Sequence, residues 1–548
     1  MFRDDKAISR EYSRWMENTS GKFFEELKAL SPEELRESFA MDLEFGTGGL
    51  RGKLGVGTNR MNLFTVIRAT LGFGKWILET SRSPSVVIAH DTRHMSAEFA
   101  GISADVLSSM GIKVFLFSEP TPTPILSYAV REMKASGGIV ITASHNPSQY
   151  NGYKVYTSDG TQAVPRYAQA IIERVKDSDF FEGYIPKKEL IGTVQRSLFD
   201  KYVETIKKTI RNLCDDYEPM KVVYTPLHGT GNYPVNRVLS DLGHRVLLVK
   251  EQAVPDGDFP TVRYPNPEDP GTFEMALEIA RESESDIILA TDPDADRVGL
   301  MVRHDGEYTL LNGNQTGVVM TAFVLEMLEE RVPERAFIVK TIVTTDLAKR
   351  IAAGYGVDLK ETLTGFKFIG ELIERAETTG DGEFVFGFEE SYGYLLGRHA
   401  RDKDAIVASA LACTVGGFLK KKGLTVVDYL QQIYERYGFF VEDLVNKEYE
   451  GIEGKKKIDS IMDRLRKESP AEFKGRKLLR LIDYDVDGGD LPRADVLSME
   501  FEGDCKLIVR PSGTEPKIKF YLMVRGSCED EARKTIRELK ELVEGIVA

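Results

Sequence analysis

Short runs rich in β-branched residues alternate with longer amphipathic stretches along most of the chain, and this alternation predicts an α/β protein. A second observation says where its chemistry lies. Polar loops repeatedly follow the apolar runs, and in open α/β sheets ligands sit at the carboxyl ends of strands. A third sets the tail apart: two strand-like runs, Lys506–Val509 and Ile518–Val524, flank a tight loop, and a helical pattern from Glu529 to about Ile546 closes the chain. That tail reads as a smaller α+β module.

In chain order, the candidate strands are Val86–Ala89, Val114–Phe117, Gly138–Thr142, Lys221–Tyr224, Arg245–Val249, Ile287–Ala290 and Phe337–Lys340. Helical patterns fill Ala97–Ser109, Thr123–Lys134 and Asp200–Asn212 between them. A chain of 548 residues predicts several domains of roughly 100–200 residues each. Breaks are expected at the turn-rich, charged Leu213–Pro219, near Leu311–Gly313, and between Tyr437 and the lysine-rich Glu453–Lys457. These give segments 1–212, 213–312, 313–437 and 438–548. The recurring strand–loop–helix units permit duplicated domains, although no repeat is visible in the residues themselves.

The composition, 42% hydrophobic and 29% charged, suits buried cores under a soluble surface. A formal charge of −14 argues against nucleic acid as a partner, because a phosphate backbone recruits basic surface. Small phosphorylated substrates need only a local basic pocket and remain compatible. Cys214, Cys413, Cys505 and Cys528 are scattered with no CxxC pair, which fits neither a disulfide framework nor a zinc site. The N-terminus carries no apolar secretory core, and no apolar run approaches the ~18 residues of a membrane span. The expectation is a cytoplasmic protein without a membrane partner.

Four loops carry chemistry. Thr142-Ala143-Ser144-His145-Asn146-Pro147 follows a Gly-rich apolar strand, so Ser144 is a candidate nucleophile, although a capped polar turn has the same composition. The hydrolase elbow is absent, since Thr142 and Asn146 stand where it requires glycines. Thr291-Asp292-Pro293-Asp294-Ala295-Asp296-Arg297 places three carboxylates two residues apart between apolar runs, an arrangement that repels itself unless a cation compensates it. Arg297 and Arg303 occupy the positions where an EF-hand needs glycine and glutamate, so Mg2+ serving phosphate chemistry is favoured over calcium. In Arg510-Pro511-Ser512-Gly513-Thr514-Glu515-Pro516-Lys517, arginine, hydroxyls and a glycine turn suit an anion, although a charged hairpin reads the same way. Gly387-Phe388-Glu389-Glu390-Ser391-Tyr392-Gly393 offers acceptors for sugar hydroxyls or, as simply, a helix start.

Two Gly-rich stretches are set aside. Gly46–Gly52 has Arg51 in the last glycine position of the dinucleotide fingerprint, and Lys53 is followed by leucine, unlike a phosphate-binding P-loop. Its backbone and Arg51 can still meet phosphate. Leu227–Gly231 also lacks the fingerprint, and His90 and His94, flanking Asp91 and Arg93, lack the third ligand of a zinc site.

In this order, TASHNP, DPDADR, GFEES and RPSGTEP resemble the α-D-phosphohexomutase superfamily from about Glu44 to Tyr521. TASHNPSQYNGYKVY and GFEESYGYLLGRHARDKDA look most like its phosphoglucomutase/phosphopentomutase branch. The resemblance implies a heart-shaped molecule in which three similar mixed α/β domains and a fourth α+β domain surround a central cleft. It implies that Ser144 passes a phosphoryl group, and that Asp292, Asp294 and Asp296 bind Mg2+ together with a phosphate oxygen on Ser144. It further assigns Glu389 and Ser391 to sugar hydroxyls, and Arg510, Ser512, Gly513 and Thr514 to the phosphate that is not transferred. Arg51, His145, Lys154, Arg297, Lys367 and Lys403 match basic positions around the site, with His145 and Lys154 as candidates for the proton transfer.

The expected partners are sugar phosphates, with glucose 1-phosphate and glucose 6-phosphate first and a sugar 1,6-bisphosphate as activator and intermediate. Phosphopentomutase and bisphosphate synthase activities are the nearest alternatives, and a catalytically silent regulatory relative is the alternative from another class. Relatives that also use mannose phosphates carry GEMSGH. Here Tyr392-Gly393-Tyr394 follows Ser391, which weakens a mannose reading. A haloacid-dehalogenase-like phosphatase is disfavoured because Asp296 ends the acidic loop.

Overall fold

Three sheets of the computed structural model, which describes residues 3–46, 48–449, 451–512 and 517–547, repeat one topology that the sequence does not display. In the first, Gly137–Ile141, Ser85–His90 and Lys113–Leu116 lie side by side and parallel, and Tyr150–Thr157 adds antiparallel to Gly137–Ile141. In the second, Ile287–Thr291, Lys221–Thr225 and Arg245–Leu248 take the same places, with Val298–His304 as the antiparallel addition. In the third, Glu383–Glu389, Ala336–Thr341 and Asp358–Thr362 do so again, with Gly393–Leu396 added. The spatial order is therefore third–first–second three times over, and the hairpin after the third strand is the equivalent position in each unit. The first sheet gains Gly49–Lys53 and Ile191–Thr193 at its edges, and the second gains Glu307–Leu311.

All seven predicted strands form, each within a residue or two of its expected ends. The predicted helices appear as Ser96–Ser109, Thr123–Glu132 and Arg196–Leu213. Buried residues of Arg196–Leu213 share one core with residues of all three sheets, from Val87 through Tyr224 to Phe386. The helix Ala405–Lys421, apolar over most of its circumference, lies in that same core. One continuous, close-packed apolar interior thus joins the three units.

The tail is larger than its sequence signals. Phe439–Glu448, Lys517–Gly526, Cys505–Pro511, Leu497–Phe501, Arg476–Asp483 and Glu472–Phe473 form a wholly antiparallel sheet in that spatial order. The helices Gly451–Lys467 and Glu529–Val547 complete the unit, which has its own core around Leu497, Leu507 and Phe520. A small apolar cluster joins it to the rest: Tyr484, Ile508, Tyr521 and Met523 meet Ile342, Leu363 and Phe368 of the third unit and Val164 of the first. Asp346 adds an ion pair to Lys506 at 2.6 Å across the same junction, and pairs with Lys340 of its own unit at 3.0 Å. Among the described residues no helix is long and apolar enough to cross a membrane.

Candidate active site

Each of the three equivalent hairpins holds one non-glycine residue in the left-handed region: Ser144 at φ 53°, Ala295 at 50° and Tyr392 at 65°. Such backbone costs about 1–3 kcal/mol per residue and persists only where its surroundings determine it. Main-chain hydrogen bonds tie the second unit's hairpin to the helix starts at Thr123 and Ala405 and to the third unit's hairpin. Thr123 N donates to Asp294 O at 2.9 Å, Val298 N to Tyr392 O at 3.1 Å, and Ala405 N to Ala295 O at 3.2 Å. Three chemically distinct loops are therefore presented at one place by three copies of one scaffold.

Ser144, only 3% exposed, points its hydroxyl at the acidic loop and donates to Asp292 Oδ2 at 2.6 Å, with His145 Nδ1 3.2 Å from Ser144 Oγ. Burial, with Arg297 and Arg51 nearby, holds His145 well below its ordinary pKa, so the imidazole is neutral at pH 7. Arg51 meets the same loop and donates to Asn146 Oδ1 at 3.1 Å.

Asp292, Asp294 and Asp296 are buried and offer carboxylate oxygens within 4.8 Å of one another. Lys154 reaches Asp294 at 2.9 Å and Asp296 at 3.7 Å, and Lys403 reaches Asp296 at 3.0 Å. Thr123 Oγ1 donates to Asp294 Oδ2 at 2.9 Å. Burial raises Asp292 well above its ordinary pKa, as does repulsion from Asp294 and Asp296. Burial also opposes ionisation of Asp294, but Lys154 outweighs it and keeps that group below the usual range. Asp294 Oδ1 and Asp296 Oδ1 are buried without a hydrogen-bond partner. Orphaned, mutually repelling oxygens of this kind fit a hard divalent cation with oxygen ligands.

Away from that centre opens a cleft of about 780 Å³ lined by Arg51, His145, Arg297, Ser391, Arg510 and Ser512, and by Lys517, Lys519 and Tyr521 of the tail strand. All four units contribute to it. Glu389 accepts from Gly365 N at 2.8 Å, and burial raises its carboxyl to about 7 despite Lys403. Lys367, half-buried at the start of the helix Phe366–Thr379, is lowered by burial and by Arg510 to about 8. Gly513 and Thr514 lie outside the described residues. Tyr394, which follows Gly393 in the sugar loop, is buried against Phe388 and donates to Gly313 O at 3.3 Å, so it belongs to the core.

Sequence reasoning missed Glu268, which holds Arg297 at 2.8 Å at the cleft wall, and Asp402, which holds Lys403 at 3.0 Å. It also missed Lys519. Asp402 lies beside Lys403 in the quoted GRHARDKDA stretch but was given no role, and Glu268 and Lys519 sit in no conspicuous motif and reach the site only through tertiary folding. The stem of Lys403 crosses directly over Gly393, where a Cβ would collide with it. Gly393→Ala is accordingly expected to displace the ammonium from Asp296 and lower kcat/KM by about 10²-fold, the scale of a 1 Å misplacement. Steady-state kinetics on a variant with an unaltered melting profile would check this, and kcat/KM within twofold of the parent would contradict it.

The comparisons agree with the class that fold and site define, an enzyme of phosphoryl transfer. Residues 42–182, 200–306 and 312–437 match, in turn, the alpha/beta/alpha domains I, II and III described as phosphoglucomutase/phosphomannomutase. The phosphoglucomutase of Staphylococcus saprophyticus is 34% identical over 542 residues, covering 94% of this chain and 97% of that protein. That of Staphylococcus aureus strain MRSA252 is 37% identical over 524 residues, covering 92% and 94%. In fold, the crystal structure of the Paramecium phosphoglucomutase parafusin in its open form superposes with a TM-score of 0.70 at 18% identity, covering 92% of this chain and 94% of that one. The chain belongs to the phosphoglucomutase/phosphomannomutase family.

Proposed function

We propose that this protein is a phosphoglucomutase that interconverts glucose 1-phosphate and glucose 6-phosphate through a phosphorylated Ser144. The observation that carries the reading is the buried Ser144 hydroxyl, 2.6 Å from Asp292 in a cluster of three carboxylates with two orphaned oxygens, between the neighbours His145 and Arg297 that line a cleft rich in cations. The names of the relatives favour glucose over pentose phosphates.

Asp292, Asp294 and Asp296, with a phosphate oxygen on Ser144, would hold Mg2+, which when bound withdraws charge from the phosphoryl group as its bond to Ser144 breaks. The chain's own groups do the rest. The free sugar hydroxyl attacks phosphorus, the bond from phosphorus to Ser144 Oγ breaks, and the hydroxyl proton passes to the protein. His145 and Lys154 are the candidates for that transfer; the neutral His145 can accept the proton directly, whereas Lys154, ion-paired to Asp294 at 2.9 Å, would first have to give up its own. The resulting 1,6-bisphosphate turns over in the cleft and returns its other phosphate to Ser144. Arg510 and Ser512 are assigned to the phosphate that is not being transferred, and Glu389 and Ser391 to sugar hydroxyls. Arg51, Arg297, Lys367 and Lys403 balance charge around the reacting group. Water must be excluded during the turnover of the bisphosphate. The tail unit, joined to the others by a small cluster, suits a lid that closes on the substrate.

Initial rates with Mg2+ and a trace of the matching bisphosphate, compared for glucose, mannose and ribose 1-phosphates, test the substrate. A preference for glucose 1-phosphate supports the proposal, and a preference for ribose 1-phosphate replaces it with a pentomutase. The free-enzyme groups also set a pH profile. kcat/KM is expected to rise through about pH 7 as Glu389 ionises to accept sugar hydroxyls, and to fall through about pH 8 as Lys367 loses the proton that attracts phosphate. Lys367→Met should remove the alkaline limb, and a limb that stays where it was would count against that assignment.

A further inference from the structure

The Asp91-Thr92-Arg93 segment, which no motif explained, lies under the serine loop. Arg93 is 3% exposed as a residue, and its Nη donors are spent on one target. Nη1 donates to Pro147 O at 2.8 Å and Tyr150 O at 3.2 Å, and Nη2 donates to Ser144 O and Asn146 O. Nε faces Asp91 Oδ2 at 3.3 Å. Asp91 is fixed in turn, accepting from Arg93 N at 2.9 Å and Ser96 Oγ at 2.7 Å. The face of the guanidinium packs on Phe259 of the second unit, 4.9 Å from the ring centre.

We infer that Arg93 is the positioning residue of the nucleophile: by gathering the carbonyls of Ser144, Asn146, Pro147 and Tyr150 onto one guanidinium, it holds Ser144 in the left-handed conformation that aims its hydroxyl at the acidic loop. This rests on the reading of Ser144 as the phosphoryl carrier. The geometry requires arginine. A rigid fork of five donors can serve four carbonyls and a carboxylate at once, whereas a lysine carries three donors on a single point. Ser144 at φ 53° has no glycine-like freedom and relaxes once the fork is withdrawn. Contact with Phe259 further places the support for the serine loop against the unit that carries Asp292, Asp294 and Asp296. Serine and acidic loops are thereby held in register.

Arg93→Lys keeps the charge beside Asp91 and is expected to fold. Its kcat should fall by about 10²-fold with KM for glucose 1-phosphate within threefold of the parent, because Arg93 touches no part of the cleft that binds sugar. In Arg93→Ala, guanidinium ion at non-denaturing concentration should refill the space and restore kcat at least tenfold over the unrescued variant. A purely structural role lowers the folded fraction but leaves kcat per folded molecule, counted from the melting baseline, within twofold of the parent, and added guanidinium then restores nothing beyond the folded fraction. That result, or an Arg93→Lys kcat within twofold of the parent, overturns the positioning role alone. Parent enzyme treated with glucose 1,6-bisphosphate and found to carry no phosphate on Ser144 would overturn the nucleophile reading and this inference together.

Discussion

Ser144→Ala is expected to abolish turnover, with kcat lower by about 10⁵–10⁶-fold, the scale seen when a covalent nucleophile is removed. Affinity for glucose 6-phosphate, read by calorimetry, should stay within a few-fold of the parent. The reasoning follows from position. Ser144 is buried and donates to Asp292, while the groups assigned to hold the sugar and its distal phosphate, Glu389, Ser391, Arg510 and Ser512, belong to other loops. The variant removes one hydroxyl and leaves those contacts in place. Loss of binding in parallel with loss of turnover would show that Ser144 organises the cleft and carries no phosphoryl group. Near-normal turnover would end the covalent reading altogether.

The second large effect concerns the acidic loop, and its two readouts move in opposite directions. Asp292→Asn preserves the shape of the side chain but lowers charge where a cation is needed. Several kcal/mol of charge stabilisation are at stake, so kcat should fall by roughly 10²–10⁴-fold. In chelator, the same variant should be more stable than the parent. The folded-state pKa of Asp292 is raised well above its ordinary value, so ionised Asp292 destabilises the fold, increasingly as pH rises through that interval. An amide carries no such penalty. Saturating Mg2+ should raise the melting temperature of the parent, since a ligand at 100 times its Kd contributes about 2.7 kcal/mol, and should raise that of Asp292→Asn much less. Equal Mg2+ shifts for the two proteins would remove the carboxylate trio from the metal site.

The division between what was legible in the sequence and what was not has a physical basis. Strands such as Ile287–Thr291 announce themselves because parallel strands buried on both faces are continuous apolar runs. The acidic and serine loops stand out because hydrophobic strands bracket unusual polar side chains. The tail sheet was read only in part, since Phe439–Glu448 and Arg476–Asp483 are half-exposed strands whose alternating pattern is diluted by charge. The threefold repeat was invisible because it resides in strand order and hairpin geometry, which dissimilar residues can satisfy equally. Arg93 and Glu268 were missed for another reason. Their roles depend on contacts with residues 51 and 29 positions away, and neither their type nor their spacing singles them out.

The measurement closest to the central claim follows the phosphate itself. The protein would be incubated with Mg2+ and glucose 1,6-bisphosphate labelled in both phosphates, digested, and its peptides mapped, then chased with unlabelled glucose 1-phosphate. Label confined to the peptide containing Ser144, and discharged into sugar bisphosphate at a rate no slower than turnover, is the expected result. Absence of label at Ser144, or label there that the sugar cannot discharge at the catalytic rate, would contradict transfer through this residue.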